Sequence, residues 1–137
     1  MPIEPDPDQM NEMASRPANE TIVMLNLLRF REQAEPGHGV DGLSGSQAYR
    51  EYGRRFEALQ PRFGGTPIWM GQGHATLIGE ENEAWDLAIL VRYPSRQNFL
   101  TMLADPEYVA IAPIRAAALA DSRLIEMGQL MMGSAEG

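Results

Sequence analysis

Residues 21–30 are predicted to form a buried first strand, because apolar side chains occupy both of its alternating faces. The segment reads TIVMLNLLRF, and successive side chains of a strand point to opposite faces of its sheet. One face carries Ile22, Met24 and Leu28, and the other carries Val23, Leu25 and Leu27. Because both faces are apolar, we expect both faces of this strand to be covered.

The first long helix is predicted from Ser44 to about Gln60. Ser44 and Gln47 have the spacing of a capping box, and Pro61 marks the end of the helix. Its apolar face carries Tyr49, Tyr52, Phe56 and Leu59. Gly53 in the middle of this helix costs about 1 kcal/mol relative to alanine. We expect this glycine either to permit close packing or to leave room for a ligand.

Two further strands are predicted over Thr66–Ile78 and Ala84–Tyr93, and residues 79–83 form a polar hairpin connection between them. The serine that follows the second of these strands, Ser95, can cap a helix that runs to Ala104.

The C-terminal part of the chain predicts one more helix and one more strand. Asp105 is a capping residue, and Pro106 occupies the first helical position. Pro113 should kink or split this helix, which we expect to end near Ala120. The last strand is predicted over Arg123–Met127.

Three segments fall outside these elements. Residues 31–43 are rich in glycine and include His38, and a loop of this length is either functional or mobile. Residues 1–20 are polar, acidic and rich in proline, with a short helix near residues 8–14, so they form an N-terminal extension. We expect this extension to pack on a partner subunit rather than to contribute to a site. The predicted domain covers residues 21–128, and residues 129–137 form a tail.

The order of elements predicts an α+β fold of the ferredoxin-like βαββαβ type. Its four-stranded antiparallel sheet carries the helices on one face. The strands supply more apolar side chains than one face can use, including Trp69, Leu87, Ile89 and Ile125. We therefore expect a homodimer in which two sheets pack face to face.

The amino-acid composition excludes several kinds of catalytic chemistry and several classes of partner. The chain of 137 residues has no cysteine and no lysine, which excludes disulfides, thiolate chemistry and Schiff-base chemistry and fits a cytoplasmic location. A net charge of -8 without a run of arginines argues against a nucleic-acid partner. The sequence shows neither an export signal nor an apolar run long enough to cross a membrane, so no membrane association is expected.

A combination of motifs resembles the domain of unknown function 1330 family. These motifs are Tyr49-x-x-Tyr52, Gly64-Gly65, Tyr93-Pro94-Ser95 with Phe99, and Asp105-Pro106-x-Tyr108 followed by Arg115. The chain resembles a longer branch of that family, over about residues 20–128. The resemblance implies the dimeric α+β barrel fold, which cofactor-free monooxygenases share, but it implies no established function. The loop at residues 31–43 departs from the shorter family pattern.

Arg115 is the first candidate for a catalytic or binding role. It lies on the stripe of the last helix that otherwise faces the core. A guanidinium there must be paired or must face a cavity. It is either an anion clamp for a carboxylate or enolate, or a structural partner of Asp86, or a side chain that extends to the rim.

His74 and several aromatic or amide side chains complete the candidate site. His74 is predicted on a half-polar strand face, where it is either a general base or a structural residue. Asn26 interrupts the apolar first strand and either binds a ligand carbonyl or ties down a loop. The side chains that would line a pocket between helices and sheet, or simply fill the core, are Tyr49, Tyr52, Trp85, Tyr93 and Tyr108.

These residues leave two hypotheses open. The chain is either a small-molecule enzyme without a cofactor, such as an oxygenase, isomerase or lyase, or a non-catalytic dimeric protein that binds a small ligand or serves a structural role. In the first case Arg115 holds an anionic group, and His74 or a tyrosine moves a proton. No motif for a metal or another cofactor is present, and haem would require His74 as its axial ligand.

Overall fold

The computed structural model describes residues 2–131. In chain order its helices and strands are α1 Pro7–Ala14, β1 Ile22–Phe30, α2 Gly45–Leu59, β2 Thr66–Gln72, β3 Leu87–Tyr93, α3 Arg96–Ala104, α4 Pro106–Ala118 and β4 Leu119–Met127. The four strands form one antiparallel sheet in the order β2-β3-β1-β4. This arrangement confirms the predicted ferredoxin-like α+β fold.

The sheet has an inner face toward the helices and an outer face away from them. On β1 the inner face carries Met24 and Leu28, which join side chains of α2, α3 and α4 in the main core. The outer face carries Leu25 and Leu27, which are partly exposed in the single chain. Further apolar side chains on the outer face are Trp69, Ala88, Leu90, Ile125 and Met127.

Local capping signals were read correctly from the sequence. The Ser44 hydroxyl accepts a hydrogen bond from the Gln47 amide at 3.1 Å, and the Gln47 side chain accepts one from the Ser44 amide at 2.9 Å. Ser95 caps α3, and Asp105 caps α4 ahead of Pro106. These bonds satisfy amide groups that the first turn of a helix leaves without partners.

The predicted boundaries of four elements were wrong. Helix α4 continues through Pro113 as one helix and ends at Ala118. Strand β4 therefore begins at Leu119, because the chain passes from helix to strand without a loop. Strand β2 ends at Gln72, and β3 begins only at Leu87, so the connection between them is longer than predicted.

Residues 31–43 pack against the domain. Ala34 and Val40 are buried in the main core. The amides of Arg31 and Glu35 each donate a hydrogen bond of 2.9 Å to a carbonyl at the end of α4. The loop therefore extends the core over the start of β4.

The N-terminal extension packs on its own domain. Met13 of α1 is buried in the core, and the Ile3 side chain contacts that core as well. Arg96 of α3 is only 4% exposed and binds the Glu20 carboxylate at 2.7 Å and the Glu126 carboxylate at 2.9 Å. The expected packing of this segment on a partner subunit stays a prediction. Its first residues line the cleft described next.

Candidate functional site

A cleft of about 1760 Å³ opens between the helices and the inner face of the sheet. Helices α2 and α4 form one wall, strands β1 and β3 form the floor, and the N-terminal extension closes one side. The side chains that carry its chemistry are Asn26, Tyr49, Tyr52, Tyr108 and Arg115. The cleft thus brings together six of the eight residues that the sequence singled out, namely these five and Tyr93.

Aromatic rings form a continuous wall in this cleft. The Tyr49 ring lies 5.6 Å from Phe30 and 5.4 Å from Tyr52, measured between ring centroids. The Phe56 ring lies 5.4 Å from Tyr52 and 5.5 Å from Tyr108. Spacing of three and four residues on α2 places its rings on one side of that helix. The wall is therefore apolar, with tyrosine hydroxyls as its polar groups.

Two of these hydroxyls form a pair. The oxygen atoms of Tyr52 and Tyr108 are 3.1 Å apart, which is hydrogen-bond distance. Burial raises the pKa of Tyr52 well above its ordinary value, and the neighbouring Tyr108 adds to this shift. Both causes disfavour a phenolate, so the Tyr52 hydroxyl remains protonated at neutral pH and can act as a donor.

Arg115 lies in the cleft with uncharged neighbours. Its Nη1 donates a hydrogen bond of 3.1 Å to the backbone carbonyl of Ile3. Burial raises the pKa of Tyr49, and the Arg115 guanidinium beside it opposes that shift. Asp86, the competing partner considered from the sequence, instead accepts a hydrogen bond from the Phe30 amide at 2.9 Å. Within residues 2–131, no carboxylate pairs with Arg115.

Asn26 and Gly53 contribute to the cleft from opposite walls. The Asn26 side chain reaches the Met24 carbonyl only at 3.5 Å, which is long for a hydrogen bond, so its amide is available to a ligand. Gly53 on α2 also lines the cleft, and a Cβ atom at this position would meet nothing within 4 Å. Of the two roles considered for this glycine, the structure supports the one that leaves room.

The structure separates His74 and Trp85 from the cleft. His74 is exposed and follows the end of β2, so the strand face predicted for it was wrong. Trp85 precedes β3 and has two guanidinium groups near its ring, with Arg29 at 5.6 Å and Arg123 at 5.1 Å from the ring centroid. Trp85 thus packs on cations.

Sequence reasoning missed the part that the N-terminal extension plays in the cleft. Ile3 and Met13 line it together with helix residues. The contact between extension and site uses the Ile3 carbonyl, and a backbone carbonyl leaves no trace in a pattern of side chains. The available signals were the apolar residues Ile3, Met10 and Met13 within an otherwise polar segment.

Residues 2–131 contain neither a cluster of metal-binding side chains nor a helix suited to cross a membrane. Among these residues no group of three or more histidine, cysteine or acidic side chains is arranged to hold a metal ion. In the same part of the chain, no helix has the length and apolar character needed to span a membrane.

The fold and the cleft define a ferredoxin-like α+β protein with an aromatic, arginine-containing interior. The sequence profile of the domain of unknown function 1330 (DUF1330) matches residues 43–128. The chain belongs to this family, as the sequence motifs predicted. No functionally curated protein matches the chain significantly.

Solved structures extend this comparison. The RPA0582 protein of unknown function from Rhodopseudomonas palustris is similar, with 35% identity, a TM-score of 0.87, and coverage of 95% of this chain and 98% of that one. A hydroxynitrile lyase from Passiflora edulis has a TM-score of 0.57 at 13% identity, covering 84% of this chain and 99% of the lyase. A dimeric ferredoxin-like protein of unknown function from Jannaschia sp. CCS1 has a TM-score of 0.52 at 12% identity, with coverage of 80% and 99%. The two distant likenesses show the fold alone.

Proposed function

We propose that this protein binds a small carboxylate or enolate in the cleft, with Arg115 as the group that holds the anion. The observation that carries this proposal is the set of partners around the guanidinium. Arg115 meets the Ile3 carbonyl and lies beside the Tyr49 hydroxyl, both of which are uncharged. A cation in an apolar cleft without a charged partner is a site that an anion would complete.

The shape of the guanidinium narrows the ligand class. Its planar fork of donors matches the two oxygens of a carboxylate, and such charge-assisted bonds are about twice as strong as neutral ones. Tyrosine hydroxyls and the Asn26 amide supply further hydrogen bonds around an otherwise aromatic wall. A carboxylate attached to an apolar body fits this combination of groups.

A cofactor-free enzyme is the second candidate, and the hydroxyl pair of Tyr52 and Tyr108 favours it. Donors that remain protonated can stabilise an oxyanion that develops on an isomerase, lyase or oxygenase substrate. The proposed proton transfer would fall to a tyrosine, because His74 lies outside the cleft. The Passiflora edulis hydroxynitrile lyase supports this candidate only through its fold.

We also propose that the chain is a homodimer joined through the outer faces of two sheets. Leu25 and Leu27 lie at the centre of that face and are only half-buried in the single chain. Trp69 on the same face is 55% exposed. Contiguous apolar surface of this kind marks an interface. The Jannaschia protein of the same fold is dimeric, which supports this arrangement.

The acidic composition supports a cytoplasmic protein without a nucleic-acid partner. The net charge of -8 would repel a phosphate backbone. The absence of cysteine is compatible with a reducing compartment.

Replacement of Arg115 by methionine tests the proposed ligand class. We expect wild-type protein to bind benzoate but not its neutral analogue benzamide in isothermal titration calorimetry. Arg115→Met should weaken benzoate binding by about 10-fold or more, since a hydrogen bond to a charged group contributes about 1.5–3 kcal/mol. The free energy of unfolding should change by less than about 1 kcal/mol, because Arg115 has no charged partner in the described chain.

Arg55→Met is the matched control. Arg55 is an exposed arginine of α2 that pairs with Glu51 at 2.9 Å and does not line the cleft. Its replacement should leave benzoate affinity unchanged. A large loss of stability in Arg115→Met without a change in affinity would contradict the proposed role and support a structural one.

A further inference from the structure

The first residues of the extension contact Arg115, the proposed anion-binding group of the cleft. The Ile3 carbonyl accepts a hydrogen bond of 3.1 Å from the Arg115 guanidinium. The Pro2 carbonyl accepts hydrogen bonds of 3.1 Å from both the amide and the hydroxyl of Ser122 on β4. The Ile3 side chain packs against the core beside these contacts. An oxygen acceptor on Arg115 and an apolar branched side chain next to it are the two parts of a small aliphatic carboxylate.

The extension is held unequally along its length. Its later part is anchored by Met13, which is 7% exposed, and by Arg96, which binds Glu20 and the Pro17 carbonyl. Its first part is held only by hydrogen bonds from Arg115 and Ser122 to backbone carbonyls, and residues 4–9 between the two parts are exposed. Residues 2–5 can therefore leave the cleft while the rest of the extension remains bound.

From this asymmetry we infer that residues 2–5 are an internal competitor for the anion site, with Ile3 in the place of the ligand. The inference rests on the proposed function, since it takes Arg115 as the anion-binding group. A carboxylate is a stronger acceptor for a guanidinium than a neutral carbonyl, so a ligand can displace Ile3. The ligand class that this mimicry points to is a carboxylate with a short branched apolar body.

Competition makes the measured affinity depend on the fraction of molecules in which the cleft is free. A chain that lacks residues 2–5 has no such competitor. Its affinity for the carboxylate should therefore be higher than that of the full chain. The deleted segment lies outside the sheet and helices, and the Met13 and Arg96 anchors remain in place. The fold should therefore be retained.

The test compares 3-methylbutanoate binding by calorimetry in the full chain, in the chain without residues 2–5, and in each of these with Arg115→Met. We expect several-fold tighter binding after the deletion and loss of binding in both Arg115→Met proteins. Equal or weaker binding after the deletion, with Arg115→Met still abolishing it, would overturn the inference and leave the proposed function standing. If no protein binds 3-methylbutanoate, benzoate or acetate at millimolar concentrations, the proposed function fails and the inference fails with it.

A second measurement uses the full chain, so it does not depend on the folding of the deletion. Ligand that displaces Ile3 should also remove the Pro2 carbonyl from the Ser122 amide, which then keeps only its bond to the Asp121 carboxylate. We expect hydrogen exchange at the Ser122 amide to become faster when 3-methylbutanoate is added, whereas amides in the centre of β1 should not change. Slower or unchanged exchange at Ser122 with saturating ligand would contradict the displacement.

Discussion

The two faces of the central strand β1 differ in what covers them. Met24, Asn26 and Leu28 on the inner face lie beneath helices and a tyrosine-rich wall, and the polar Asn26 lines the cleft. Leu25 and Leu27 on the outer face have apolar or arginine cross-strand neighbours, and both stay partly exposed in the described chain. In our proposal, one strand thus serves a ligand site on one side and subunit association on the other.

This difference shows that apolar side chains of one strand can have two roles, core packing on one face and surface contact on the other. Side chains that alternate along a strand can be equally apolar and still have different fates, because helices cover only one face of this sheet. A polar group on the covered face requires a partner, whereas an apolar group on the bare face requires another surface. Changes confined to one face should therefore leave the property of the other face intact.

The largest effect is expected from a charge on the outer face. Leu25→Arg should convert the proposed dimer to a monomer with a native circular dichroism spectrum. A buried, unpaired charge costs about 3–5 kcal/mol, which weakens association by more than about 100-fold. Light scattering at micromolar concentration measures this directly. Ala110→Arg adds the same charge on exposed α4 and should leave association unchanged. A wild-type monomer under these conditions would refute the dimer.

Alkaline pH should act on the inner face. Burial raises the pKa of Tyr93 from 10.0 to about 12, so the folded protein holds this proton more tightly than the unfolded chain. The stabilisation from the neutral tyrosine is complete below pH 10 and is lost as pH rises through about 12. Tyr49 and Tyr52 shift in the same direction. We expect the free energy of unfolding to fall from pH 10 to pH 12 by roughly 2–3 kcal/mol for Tyr93 alone.

Urea titrations at successive pH values test this loss, and Tyr93→Phe supplies the comparison. That variant should show a smaller slope of stability against pH above pH 10. Phenolate absorbance that rises with a midpoint near pH 10 for all tyrosines of the folded protein would contradict the proposed burial effect.

A smaller effect is expected from the hydroxyl pair of the cleft. Tyr52→Phe removes one member of the 3.1 Å contact and leaves the Tyr108 hydroxyl without this partner. Stability should fall by about 1 kcal/mol, the usual contribution of a hydrogen bond. The dimer should persist, because the change lies on the inner side. Thermal unfolding and light scattering of the same sample measure both outcomes, and dissociation would contradict the separation of the two faces.

The smallest effect is expected at His74. His74→Ala should change neither ligand affinity nor stability by a measurable amount, because the imidazole is exposed and lies outside the cleft. Benzoate titration of this variant beside wild type provides the measurement. A loss of affinity similar to that of Arg115→Met would show that His74 takes part in ligand binding and would contradict its place outside the cleft.

The sequence predicted features that depend on local chemistry or on periodicity. Ser44 and Gln47 form their capping box from side chains three residues apart, and the pattern of β1 required no knowledge of its partners. The stripe of α4 also led correctly to Arg115 as a cleft residue. Each of these signals lies within a single helix or strand, so it can be recognised from the sequence without knowledge of tertiary contacts.

Features that depend on backbone contacts between distant segments could not be predicted. Alternation continues past Gln72, yet the chain leaves the sheet near Gly73, where any side chain would collide with the Trp85 carbonyl. Glycine permits this close approach, and His74 lies just beyond the end of β2 rather than within it. The contact between the Ile3 carbonyl and Arg115 likewise cannot be inferred from the side-chain pattern, so the extension was not expected to line the cleft.

A crystal structure of the protein with bound benzoate tests the central claim most directly. The account predicts the carboxylate within hydrogen-bond distance of the Arg115 guanidinium, the ring against the wall formed by Tyr49 and Tyr52, and Ile3 displaced from Arg115. Benzoate bound elsewhere on the protein, with the Ile3 carbonyl still bonded to Arg115 and no ligand against the aromatic wall, would contradict it.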